Sequence, residues 1–143
     1  MPTRTESREV AFQVLYQDDF NPRLNPADTD RMVVERLKKE TAVEFARELV
    51  AGVRRNRAEI DQLITDSAEN WTLQRMAATD RTALRMGVFE LIFSETPAPV
   101  AIDEAIELAK KFGSANSAKF VNGVLDEIRK KRTEDRGQRT ESD

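Results

Sequence analysis

The sequence predicts an all-α fold of about seven helices in two packed sub-bundles, and three observations carry that prediction. Apolar residues recur at helical spacing along most of the 143 residues. Helix-start signals return repeatedly, whereas strand-like alternation and internal repeats do not appear. Five glycines and five prolines leave little material for tight β-turns.

Each element follows from a local signal. Thr3-Arg4-Thr5-Glu6 has capping-box spacing, and Val10, Ala11, Val14 and Leu15 then mark one face that Tyr16 and Phe20 widen. Asn21-Pro22 and Asn25-Pro26 close this helix in a loop. A second helix runs through Met32, Val33 and Leu37 to about Lys39. Thr41-Ala42-Val43-Glu44 is a further capping box, opening a helix with Phe45, Leu49, Val50 and Val53 inward. Asn56-Arg57-Ala58-Glu59 restarts the chain, with Ile60, Leu63 and Ile64 as the apolar stripe. The pattern breaks at Asn70-Trp71-Thr72, which sets the expected division between sub-bundles of residues 1–69 and 70–132, with Trp71 as a packed wedge between them. Beyond Thr79-Asp80, Leu84, Val88, Leu91 and Ile92 form a stripe. Thr96-Pro97-Ala98-Pro99 reads as an extended connection, and Asp103 as the cap of a short helix that Phe112-Gly113 closes. Ser117 opens the last helix, and residues 133–143 form a polar tail expected to be disordered.

Composition narrows the function classes. No apolar run approaches the roughly 18 residues that span a bilayer, and the N-terminus lacks a secretory stretch. With no cysteine there is no disulfide or thiolate chemistry, and a cytoplasmic address is expected. The absence of histidine removes the commonest general base and metal ligand, so neither a Ser-His nor a Cys-His nucleophile pair exists. Carboxylates alone make a poor zinc set, and the scattered glycines build no phosphate-binding loop. No enzyme activity, metal or cofactor is expected.

Charge is unevenly placed. The chain carries −3 overall, yet residues 110–132 hold seven basic side chains against two acidic ones, a local balance of +5. Such a segment on an acidic body suits oriented contact with an anion, although Lys and Arg at a helix end also serve the macrodipole. Within it, Gly123 interrupts the helical pattern of Lys119-Phe120-Val121-Asn122-Gly123-Val124-Leu125. A helical wheel gathers Val121, Val124, Leu125 and Ile128 into one arc and puts Gly123 beside Lys119 on the far side, with Phe120 at the edge. The glycine bares that face either for a neighbouring helix of the same domain or for an external partner.

Several stretches together, "REVAFQVLYQ", "ELVAGVRRN", "TDRTALRMGVFEL", "PVAIDEAIELAKKFG" and "SAKFVNGVLDEI", resemble the NusB family of bacterial transcription antitermination factors over roughly residues 4–130. The resemblance implies two three-helix bundles plus an N-terminal helix. It also implies pairing with NusE, a small-subunit ribosomal protein, and binding of boxA RNA by the heterodimer. That assembly acts indirectly on the RNA polymerase elongation complex, suppressing premature termination, notably in ribosomal RNA operons. Residue by residue, it implies RNA contact at Arg4, Arg8, Tyr16, Asn116, Lys119 and Phe120, and NusE contact at Tyr16, Asp80 and Phe120. Thr5 and Glu6 stand where further arginines can occur, which implies a weaker N-terminal grip on RNA. Some family members self-associate, so a homodimer is a further expectation. NusB-like domains also occur fused to ribosomal RNA methyltransferases, but this chain ends before a catalytic domain could begin. A protein-binding adaptor that touches no RNA is the alternative that the net acidity favours.

Overall fold

The computed structural model describes residues 3–141, with side chains described through Glu134. Among the described residues the chain forms seven α-helices, one 3-10 turn and no strand. No helix there is long and apolar enough to cross a membrane.

Helix α1 (Arg4–Phe20) starts as its capping box predicts, with the Glu6 N–H donating to the Thr3 hydroxyl at 3.1 Å. Helix α2 (Pro26–Leu37) begins with Pro26 in its first turn and the Asn25 side chain accepting from the Ala27 N–H at 3.0 Å. Lys38 then takes a positive φ of 61° at the centre of a tight turn, in which the Lys39 N–H donates to the Leu37 carbonyl at 2.6 Å, and the chain reverses. Helix α3 (Glu40–Arg55) is consequently under way before Thr41, and the capping box expected there is not used. Asn56 also turns out to act backwards: its amide donates to the Gly52 carbonyl at 2.9 Å, closing α3 ahead of α4 (Arg57–Ser67).

After a 3-10 turn at Leu73–Arg75 come α5 (Ala78–Phe93), α6 (Ala98–Phe112) and α7 (Ser117–Glu141). Helix α6 corrects the extended connection expected at Thr96-Pro97-Ala98-Pro99. It starts at Ala98, ahead of Asp103, because a proline in the first helical turn removes only an N–H that has no helical partner. Helix α7 runs on into the stretch read from the sequence as a polar tail. It continues through residues 133–141, a stretch of Arg, Glu and other residues without proline, interrupted only by Gly137. The end of that expected tail, Ser142 and Asp143, lies outside the described residues.

Helices α1, α2 and α3 pack on one another, as do α5, α6 and α7. Helix α4, expected in the first group, lies mainly against α5 and α7 through Ile60 and Ile64, so the chain changes group at Asn56 instead of Asn70. Helix α1 crosses α5 and α6, α3 leans on α5, and one continuous core joins the two groups. Helix α5 is the axis: every residue from Thr82 to Glu90 is buried, well beyond the single stripe read from its sequence. A helix buried all round must absorb its own polar residues, and Arg85 and Glu90 are buried with it.

Helices α3 and α5 approach closely because Gly52 has no side chain. A Cβ there would stand 2.2 Å from the Phe89 ring. Gly52→Ala should therefore destabilise the fold by about 1–3 kcal/mol through overpacking, read as a lower urea midpoint with an unchanged m-value.

Candidate nucleic-acid and partner interface

The site is assembled by the turn between α6 and α7. The Ser114 N–H donates to the hydroxyl of fully buried Ser117 at 2.9 Å, and the Asn116 carbonyl accepts from the Phe120 N–H at 3.2 Å. This places Asn116, Lys119, Phe120 and Gly123 along one wall of an open groove of about 730 Å³. The opposite wall comes from the end of α4, the loop bearing Trp71 and Arg75, and Asp80 on α5. Four of the residues singled out in the sequence, Asp80, Asn116, Lys119 and Phe120, thus share one cavity although up to 40 positions separate them.

Gly123 faces that groove with no atom within 4 Å of where a Cβ would stand, which eliminates close packing inside the domain as its reason. Lys119 is exposed and forms no ion pair among the described residues. Asp80 lines the groove, and one of its carboxylate oxygens, Oδ1, is turned away from solvent with no hydrogen-bond partner among the described residues.

Trp71 overturns its expected role. It is 52% exposed at the groove's edge, meeting Phe120 at 6.1 Å between ring centroids and 68° between planes. The loop buries Ala68 and Met76 instead, and has no need of the indole inside. Together with Arg75, Trp71 is the part of the site that the sequence reading missed. The available signal was its polar immediate context, Glu69-Asn70-Trp71-Thr72.

The loop is held from behind. Arg81 donates from Nη1 to the carbonyls of Leu73 and Met76, at 2.7 and 3.0 Å, and from Nε to Asp19 at 3.1 Å. Asp19 also accepts from Arg85 at 2.8 Å and Arg57 at 3.2 Å, and Arg85 reaches Asp61 at 2.8 Å. Burial pushes the Asp19 carboxyl up, but the charges and hydrogen bonds of Arg85 and Arg81 outweigh it and hold the group below the usual carboxylate range.

The remaining predicted residues lie apart. Tyr16 stacks with Phe12, tilts against Phe20 and lines a second groove of about 440 Å³ with Thr79, the neighbour of Asp80. Arg4 is exposed, its guanidinium 4.7 Å from the Phe45 ring, in a third groove. Arg8 lines the same third groove but is only 4% exposed, donates to Glu90 at 2.8 Å and comes within 3.5 Å of Glu104. Burial raises the Glu90 carboxyl above its ordinary range despite Arg8 beside it.

The NusB family profile matches residues 5–130. This chain belongs to the NusB family. The transcription antitermination protein NusB of Desulfotalea psychrophila is 44% identical over 138 residues, covering 90% of this chain and 96% of its own. T. maritima NusB is 38% identical with a TM-score of 0.80, covering 90% of this chain and 92% of its own. A crystal structure of antitermination factors NusB and NusE in complex with double-stranded RNA contains a chain 37% identical, with a TM-score of 0.79, covering 89% of this one and 96% of its own. NusB proteins are transcription antitermination factors and not enzymes.

The charged network behind this NusB interface makes a pH prediction. Stability from Asp19 is fully present above its unfolded pKa and is lost as pH falls through the lower folded value. Asp19→Asn should cost on the order of 2 kcal/mol at neutral pH and flatten the loss of stability below about pH 4, as measured by urea melts across that range.

Proposed function

We propose that this protein pairs with NusE in the bacterial cytoplasm and that the heterodimer binds boxA RNA. The assembly then joins the RNA polymerase elongation complex and suppresses premature termination, notably in ribosomal RNA operons. The observation that supports this reading is the groove itself: a free lysine, an exposed amide and a ring edge beside the carboxylate of Asp80, in a chain closely similar to one solved with NusE and RNA.

Chemistry divides the roles. Lys119 supplies a cation to phosphate, Phe120 a ring to a base, and Asn116 a neutral amide at the turn. Arg4 adds a second exposed cation at a distance. Asp80 offers its carboxylate at the groove to a donor of NusE, and Tyr16 in the adjoining groove extends the protein contact. The adaptor reading, with no RNA contact, draws support from the net charge of −3 and from the withdrawal of Arg8 into the core. A homodimer would cover exposed surface in place of NusE, and sedimentation of the free protein reads it directly.

NusE should tighten boxA binding, because this chain carries a net charge of −3 with only a local basic segment, and binding should weaken as salt rises through counterion release. Equal affinity with and without NusE in fluorescence anisotropy would favour the adaptor. Asn116→Asp places a carboxylate three residues before Lys119, outside the first turn of α7. Low-salt affinity should fall a few-fold, matching roughly 0.2–1 kcal/mol for an exposed charge pair, and the difference should shrink at high salt. Unchanged affinity at low salt would move the RNA path away from this turn.

A further inference from the structure

We propose that Trp71 is a stacking platform for an unpaired RNA base, with Arg75 and Lys119 holding the flanking phosphates. The proposal rests on the RNA-binding reading above and adds to it a residue and a subsite.

Four observations meet at this indole. First, half of its surface is exposed, and its 68° contact with Phe120 cannot cover both rings. A tryptophan kept for the core would be enclosed. Second, the loop that presents it is built to stay in place: its own N–H donates to the Ala68 carbonyl at 3.2 Å, and Arg81 ties the carbonyls of Leu73 and Met76. A platform held in advance loses little freedom when a base settles on it. Third, Gly123 leaves the same groove open, with nothing within 4 Å of its missing Cβ. Fourth, the charges are mixed: Arg75 and Lys119 line the groove with Glu69 and Asp80. Two carboxylates discourage a phosphate inside it, whereas a neutral base is accepted and its phosphates can reach the two exposed cations. Stacking needs a base free of its helix, so the ligand is single-stranded RNA.

Trp71 is the only tryptophan in the chain, which makes the test direct. Fluorotryptophan incorporated into this protein alone gives a single fluorine NMR resonance. In the heterodimer with NusE, a short single-stranded boxA RNA should shift that resonance, and the same sequence as a duplex should not. Trp71→Ala should weaken single-strand binding roughly five- to 150-fold, the equivalent of one lost base stack, and Trp71→Phe, which keeps a ring, should weaken it less. Arg75→Ala and Lys119→Ala should each lower the slope of log affinity against log salt by about 0.7. Bound RNA that leaves the resonance in place, wild-type affinity in folded Trp71→Ala, or an equal shift with duplex would overturn the platform while leaving the RNA-binding reading intact. So would a shift completed by NusE alone, which would assign the indole to the protein partner. No RNA binding by the wild-type heterodimer would remove both.

Discussion

Asp19, buried near the end of α1, accepts hydrogen bonds from Arg57, Arg81 and Arg85, and the relation between the two helical groups depends on that arrangement. The carboxylate comes from the first group, while the arginines belong to α4 and α5 of the second. At the other end of α1, Arg8 pairs with Glu90 of α5 and Glu104 of α6, and the Ser7 hydroxyl donates to the Ala42 carbonyl of α3 at 3.0 Å. Helix α1 is thus gripped by charge at both ends and by apolar packing between them. Buried ion pairs gain little net free energy, because desolvation consumes most of their attraction. Their geometric demand is strict, since a displaced partner leaves a buried charge without compensation.

That demand extends outward to the interface. Arg81 touches Asp19 with one nitrogen and two loop carbonyls with another, so the same side chain that joins the helical groups also fixes the loop at the groove. At the end of α4, Lys131 donates to the Asp66 carbonyl at 2.8 Å, tying α7 to the segment from which the loop departs. The groove walls are therefore set by scaffold contacts.

The protein also spends its cations inside. Arg8 and Arg85 are buried in ion pairs, and Arg81 and Arg57 are committed to Asp19. Side chains that look basic in the sequence are thereby removed from the electrostatic surface, leaving Arg4, Arg75 and Lys119 as exposed cations near the grooves. A small positive surface on an acidic body favours recognition by a joint surface over capture of nucleic acid by charge alone.

Helical periodicity determined the fold class, the existence of seven helices and the inward stripes, because amphipathic spacing is a local property that core burial must respect. Residue-by-residue resemblance determined the family and singled out Asp80, Asn116, Lys119 and Phe120. Helices α3 and α6 start earlier than their local signals indicate, since the tight turn at Lys38 and the tolerance of Pro99 in a first turn depend on the path of the chain as well as its letters. Tertiary structure alone decided which charges point inward. Arg8 and Arg4 are equivalent cations in the sequence, but one is enclosed by Glu90 and Glu104 and the other left in water. It also decided the fates of Trp71 and Gly123, the one expected inside and found exposed, the other open to either reading and found facing empty space. Exposure depends on which neighbours arrive from distant positions in the chain, and no local pattern encodes their arrival.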